Sequence, residues 1–176
     1  MNKKVAIVGH SQIPEYLPDI VGVETRIFRL PGGRLHDVYE NEILNDSFKW
    51  SHDMTIIFLG GNDVTHKSRE LIVGNLLDLV EGFKNKGSRI IVVVLIEPRT
   101  YHSSNRFGID NDTYKSDMFF INRKLKRLAN SRHFKVLNIN ARPFQYGHVR
   151  DGVHFDMESK VEITKKLVNC IIKNLE

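Results

Sequence analysis

Residues 3–11 read KKVAIVGHS. Two lysines lead into the apolar run Val5-Ala6-Ile7-Val8, and the run stops at Gly9-His10-Ser11. The run predicts a strand over about Lys4–Gly9. A strand that breaks off at a glycine and a small hydroxyl has two readings. It enters a plain turn, or it presents a nucleophile at the carboxyl end of a sheet strand, where open α/β folds keep their sites.

Outward from this stretch, strands and helices alternate. Further strands are predicted over about Val23–Leu30, Met54–Leu59, Arg89–Ile96 and Lys135–Ile139. Residues 89–96, RIIVVVLI, are uninterrupted and rich in β-branched residues, as a strand buried on both faces requires. A short helix is predicted near Leu35–Asn45 and a long one over about Ser68–Lys86. In the latter, Leu71, Leu76, Leu77, Val80 and Phe83 recur at helical spacing, and Gly87 follows as a stop. Two more helices are predicted over about Tyr114–Arg132 and Met157–Leu175. Five strands with helices between them imply an α/β three-layer sandwich around a five-stranded parallel sheet. Right-handed crossovers and the flavodoxin-like order 2-1-3-4-5 are expected.

The bulk numbers agree with that class. The chain has 176 residues, 41% hydrophobic and 27% charged, which suits a single domain over residues 1–176 with a proper core. No apolar run approaches the roughly 20 residues of a membrane span. The start runs directly into a strand, so no signal peptide is expected. The single cysteine, Cys170, allows no internal disulfide and fits a reducing, cytoplasmic setting. The net charge of +5 permits weak, non-specific attraction to nucleic acid or to an anionic membrane surface.

The residues that follow the strands carry the chemistry. Gly9-His10-Ser11 follow the first, Pro31-Gly32-Gly33 the second, and Gly60-Gly61-Asn62-Asp63 the third. After the fifth comes RDGVHFD, with Asp151 and His154. A parallel sheet brings all of these to one edge. Acyl transfer from an ester needs a hydroxyl nucleophile, an imidazole base, a carboxylate to fix the imidazole, and donors for the oxyanion. Ser11, His154 and Asp151 supply the first three. The Ser11 N–H, a glycine N–H from Gly32–Gly33 and the Asn62 amide supply the donors.

In this order, Gly-x-Ser, a glycine, Gly-x-Asn-Asp and Asp-x-x-His resemble the blocks of the SGNH (GDSL-type) hydrolases. Each block alone is weak; four in order, each at a predicted strand end, are specific. The resemblance implies a flavodoxin-like fold and metal-free, cofactor-free hydrolysis of ester or related acyl bonds. Aligning Gly-Gly-Arg-Leu with the family's Gly-Gly-x-Thr favours Gly33 as the oxyanion glycine. The Gly-x-Ser-x-Gly elbow of the α/β-hydrolases is absent, since Ile13 stands where its second glycine would be. His10 replaces the family's usual aspartate, so the bracing of the nucleophile loop must be made otherwise. The small size, the Gly-His-Ser variant and the basic charge are similar to the esterase domains in the first open-reading-frame protein of some non-LTR retrotransposons. That implies a domain cut from a longer protein, acting near nucleic acid or lipid. More distant likeness is to the acetylhydrolases that cleave platelet-activating factor. The resemblance points to a small ester or lipid substrate with a short, acetyl-type acyl group.

Blander readings stand beside these. Ser11 also suits a helix N-cap, and Asp151 an Asp-Gly turn. Asp63 is assigned to structure rather than chemistry. Asp63, Asp151, His154 and His10 fit no common zinc spacing, so no metal site is expected. The basic stretch NRKLKRLANSRHFK reads as a solvated helix face over a buried stripe of Ile121, Leu125 and Leu128. Trp50 is expected in packing near the third strand, and Cys170 on the buried face of the last helix. The 16-residue loop 97–112 carries Tyr101 and Phe107 and leaves from the same sheet edge, so it is expected to shape the acyl pocket or cover it. A reading of another class is a binding module on a hydrolase scaffold, docking membrane or nucleic acid with little turnover.

Overall fold

The computed structural model describes residues 1–50, 52–101, 105–140, 147–148 and 151–176. Its sheet has five strands: β1 (Lys3–Gly9), β2 (Val23–Arg29), β3 (Met54–Phe58), β4 (Ile90–Val94) and β5 (Lys135–Leu137). Every neighbouring pair is parallel and the order is β2-β1-β3-β4-β5, as expected. Helices α1 (Asp37–Glu40), α2 (Glu42–Lys49), α3 (Arg69–Asn85), α4 (Asn111–Leu128) and α5 (Met157–Leu175) complete the fold. No helix among the described residues is long and apolar enough to cross a membrane.

The strand period of two sorts the core into two layers. Val8, Ile57, Ile91 and Val93 face one side, against Val38, Leu44, Leu76, Val80, Ile121 and Leu125 of α1 to α4. Ile7, Ile56, Phe58, Val92 and Val94 face the other, against Ile163, Leu167 and Ile171 of α5. Val5 to Val8 are fully buried, because β1 is flanked by β2 and β3 and covered on both faces. The edge strand β2 is only half-buried.

Local chemistry explains where the elements depart from expectation. The helix predicted near 35–45 is two helices, broken at Asn41. That residue is extended (φ −91°, ψ 130°) and its side chain accepts from the N–H groups of Ile43 and Leu44, capping α2. Asp110 caps α4 in the same way and starts it three residues early. In α3 the buried stripe is Ile72, Leu76, Leu79, Val80 and Phe83, which leaves Leu71 half exposed on the turn where the helix begins. Trp50 is half-buried under the Arg26 guanidinium, 4.7 Å from its ring centroid. Cys170 is half-buried against the α5 layer.

Gly9 is where the fold meets the site. It pairs with Phe58 of β3, and a Cβ added there would lie 2.5 Å from the Phe58 carbonyl oxygen. The close approach, not the backbone angle, demands glycine. The variant Gly9→Ala is expected to lose about 1–3 kcal/mol of stability by overpacking, read as a lowered urea midpoint at an unchanged slope.

Candidate active site

Ser11 follows β1, and His154 lies in the loop that leads into α5. The structure brings them together across 143 residues: His154 Nε2 is 3.1 Å from Ser11 Oγ. On the other side of the ring, Nδ1 is 2.5 Å from Asp151 Oδ2. The second carboxylate oxygen, Oδ1, accepts from the N–H groups of Val153 and His154, at 2.8 and 2.9 Å. Burial pushes the Asp151 carboxyl up, but the hydrogen bond from His154 and the two backbone N–H groups outweigh it, leaving a pKa of about 2. Asp151 is therefore ionised at neutral pH. It accepts from Nδ1–H, which leaves Nε2 as the acceptor facing the serine hydroxyl.

A residue with no sequence signal holds the two loops in register. Gln12 is buried next to the nucleophile. Its Nε2 donates to the Val153 carbonyl at 2.5 Å, and its Oε1 accepts from Phe155 N–H at 3.1 Å. One side chain thus spans the residues on both sides of His154. Thr100 N–H donates to the Gly152 carbonyl at 2.8 Å, tying the loop after β4 to the same segment.

The Gly33 N–H, expected as an oxyanion donor, is already engaged. Gly33 N–H donates to the Leu30 carbonyl at 2.9 Å, closing a four-residue turn. Pro31 and Gly32 fill its centre, with Gly32 at φ +73°, the arrangement of a type II turn. The turn consumes the Gly33 N–H, places Gly32 in the cavity wall, and leaves the Gly32 N–H without an acceptor among the described residues. Gly33 serves instead through its carbonyl, which accepts from Asn62 Nδ2 at 2.9 Å. Asn62 Oδ1 accepts from Arg99 Nη2 at 2.9 Å, so the amide is held at both ends with one N–H left over. The Ser11 N–H likewise has no acceptor among the described residues.

Beneath these groups lies a buried ion pair. Glu97 and Arg99 are 1% and 4% exposed, so their charges are removed from water and must be met internally. Arg99 Nη2 is 2.5 Å from Glu97 Oε1, Nε donates to the same oxygen, and Nη1 reaches the Tyr101 hydroxyl. Burial alone would raise the Glu97 carboxyl; the Arg99 guanidinium and His10 bring it to about 2. His10 Nδ1 accepts from Gln12 N–H, and Nε2 faces Glu97 at 3.4 Å, an electrostatic contact rather than an aligned hydrogen bond. His10 is fully buried, so it braces the loop and does not sit at the rim. Gly61 must lack a side chain here, because a Cβ would overlap the Glu97 carboxylate.

These parts open on a cavity of about 370 Å³ that contains Ser11, Gly32, Asn62 and His154 in its wall. Tyr101, Phe107 and Ile109 of the loop after β4 line it too, so that loop shapes the pocket; its residues 102–104 lie outside the described set. Asp63 is fully buried and its Oδ2 accepts from Leu35 N–H, joining the loops after β2 and β3. Among the described residues, no group of three or more His, Cys, Asp or Glu is placed to hold a metal ion. On α4, Arg123, Lys126 and Arg127 are exposed opposite the buried Ile121 and Leu125.

No family model matches the chain, and no curated protein matches it. Solved structures do. A protein from Slackia heliotrinireducens described as a candidate SGNH hydrolase is 15% identical, with a TM-score of 0.72 over 96% of this chain and 98% of that one. A carbohydrate esterase family 3 protein from Talaromyces cellulolyticus is 15% identical, with a TM-score of 0.70 over 97% of each chain. A mutant of an acetyl-xylooligosaccharide esterase from Geobacillus stearmophilus is 14% identical, with a TM-score of 0.67 over 95% and 93%. At such identities the likeness is one of fold: the chain has the five-stranded α/β fold of the SGNH hydrolases.

Replacing Glu97 tests the buried pair. Glu97→Gln leaves the Arg99 charge without its partner and is expected to cost about 3–5 kcal/mol. The lowered carboxyl sets the pH dependence. Above the ordinary value of 4.5 the carboxylate is ionised folded and unfolded, and its contribution is complete. As pH falls from there toward about 2, the unfolded chain takes up the proton first and the contribution is lost. The gap between wild type and Glu97→Gln in urea unfolding is expected to narrow steadily from pH 5 to pH 3.

Proposed function

We propose that the protein is a serine esterase that hydrolyses small carboxylic esters through Ser11, His154 and Asp151. The observation that carries the proposal is the hydrogen-bonded series from Ser11 Oγ to His154 to the ionised Asp151, at the wall of a cavity open to solvent. Ser11 Oγ attacks the ester carbonyl while His154 Nε2 takes its proton. Asp151 holds the ring in the required tautomer and stabilises the imidazolium. The oxyanion meets the N–H groups of Ser11 and Gly32 and the free N–H of Asn62, all neutral donors set before the reaction begins. The intermediate collapses, the alkoxide leaves with the proton from His154, and an acyl-serine remains. Water, deprotonated by the same histidine, attacks the acyl-serine; the Ser11 oxygen leaves with that proton from His154, and the carboxylic acid is released and ionises in solution.

The size of the cavity supports a short acyl group. About 370 Å³ accommodates an acetyl ester of a small alcohol. The acetyl-xylooligosaccharide esterase among the structural neighbours points the same way. A lipid substrate and a retrotransposon setting rest on the resemblance carried by the small size, the Gly-His-Ser variant and the basic charge.

Hydrolysis of p-nitrophenyl acetate, butyrate and octanoate by wild type and Ser11→Ala tests the reading. Acetate is expected to be the best of the three, and Ser11→Ala to lower kcat by at least about 10³-fold without unfolding the protein. Equal inactivity of the two proteins at every chain length sinks the esterase assignment. Asn62→Ala is expected to lower kcat by about 10²–10³-fold with little change in KM, the mark of a group that acts in the transition state.

A further inference from the structure

The charges around the cavity are one-sided. Its wall includes Arg34, Arg99, Arg106 and His66, and no aspartate or glutamate. Chance does not favour this, because the chain holds 21 acidic residues against 26 basic ones. Arg99 is already matched by Glu97. Arg34 and Arg106 are different: neither side chain makes an ion pair or a hydrogen bond with the described residues. The acid nearest to Arg34 in effect is Asp63, whose ionised form it favours, but Asp63 lies buried behind the wall with Leu35 N–H and Lys67 as its partners. Asp37 accepts from the Arg34 backbone N–H, not from its guanidinium.

Both arginines are presented by ordered backbone. Arg34 follows the Leu30–Gly33 turn that sets Gly32 and Asn62. Arg106 lies on a tip organised by Asn105, whose side chain donates to the Ile109 carbonyl and accepts from the N–H groups of Phe107 and Ile109. The Arg106 guanidinium lies over the Phe107 ring, 4.8 Å from its centroid, which limits its orientations. A guanidinium that makes no internal pair and faces a cavity is a fork-shaped site for a carboxylate or a phosphate.

We infer that Arg34 and Arg106 form an anion-binding subsite beside the nucleophile, and that the ester taken by this protein carries a carboxylate or phosphate on its alcohol portion. The inference deepens the esterase reading and rests on it for the word ester; the anion subsite itself does not. A cavity of about 370 Å³ keeps such a group within one small molecule's length of Ser11. Its recognition there orients the scissile carbonyl, so the charge acts on kcat/KM rather than on distant steering alone.

Three acetyl esters test this at low ionic strength: 4-acetoxybenzoate, 4-acetoxyphenyl phosphate and the neutral methyl 4-acetoxybenzoate, each corrected for its hydroxide-catalysed rate. Wild type is expected to prefer at least one anionic ester by about tenfold or more in kcat/KM, and the favoured one tells carboxylate from phosphate. That ratio is expected to fall toward one in Arg34→Gln/Arg106→Gln and part of the way in Arg106→Gln alone, which keeps the test open should the double variant fail to fold. The exposed pair Lys86→Gln/Lys115→Gln removes the same charge elsewhere and is expected to leave the ratio unchanged. Equal use of neutral and anionic esters overturns the inference, as does a loss in the lysine control as large as in the arginine variant. Calorimetry of benzoate and phenylphosphonate binding to Ser11→Ala, with and without the two arginine changes, separates the two failures. Binding that the arginine changes abolish, with no turnover of any ester, upholds the subsite and overturns the esterase reading. Turnover with no anion preference does the reverse, and neither turnover nor binding overturns both.

Discussion

A carboxylate sealed under the active site sets the terms for everything above it. Glu97 follows directly on the apolar run of β4 and is cut off from water. It is tolerable there only as an ion, held by Arg99 and faced by His10. Each partner is committed in turn to a working part of the site. Arg99 fixes the Asn62 amide, and His10 accepts from Gln12 N–H within the nucleophile loop. The glycine at 61 follows from the same constraint, since its missing side chain is the space the carboxylate fills. His10 standing where the family's blocks have an aspartate then has a physical reason. With an acid at 97, a second acid at 10 would place two like charges in one dry pocket; an imidazole there complements the first.

The second constraint is topological. Ser11 and His154 belong to opposite ends of the chain, and they meet with β1 inside the sheet, between β2 and β3. The order β2-β1-β3-β4-β5 accomplishes this, with α5 alone packed on the face below Ile7 and Phe58. Gln12 then converts nearness into register. By bonding the residues on each side of His154, it sets the ring height relative to the Ser11 hydroxyl to within the tolerance of two hydrogen bonds. The cost of closing so long a loop is met by the α5 layer, so the polar clamp needs only to position, not to hold.

Much of this was legible from the residues alone, for identifiable reasons. The buried strands announce themselves because a parallel sheet covered on both faces needs unbroken β-branched runs. Ser11, Asn62, Asp151 and His154 stand out because each follows a strand end, and the topology that gathers those ends was itself inferred. The Gly33 N–H is not free for the oxyanion role expected of it. Family alignment favours Gly33, but Pro31-Gly32 is the signature of a type II turn, and that turn spends the Gly33 N–H on Leu30. Gln12, Glu97 and Arg99 were missed because their roles are contacts between loops, which no spacing encodes. One signal was available: a glutamate placed immediately after seven apolar positions, with an arginine two residues on, is a charge pair drawn in beside a buried strand. The break at Asn41 was readable too, as a capping residue inside an apparent helix.

Charge is partitioned within the cavity, and the partition follows from the same buried carboxylate. A bare guanidinium beside Asn62 would hold any small anion, including the carboxylate product, against the nucleophile. Glu97 cancels that charge while leaving Arg99 its hydrogen bond to Asn62, so the oxyanion develops among neutral donors. Asp151, the other ionised acid of the site, is turned away behind the His154 ring and bound by two backbone N–H groups. The positive charge left without an internal partner belongs to Arg34 and Arg106, which line the same cavity. On the proposed reading, recognition of a charged substrate and stabilisation of a charged transition state fall to different groups, and neither has to be weakened to serve the other.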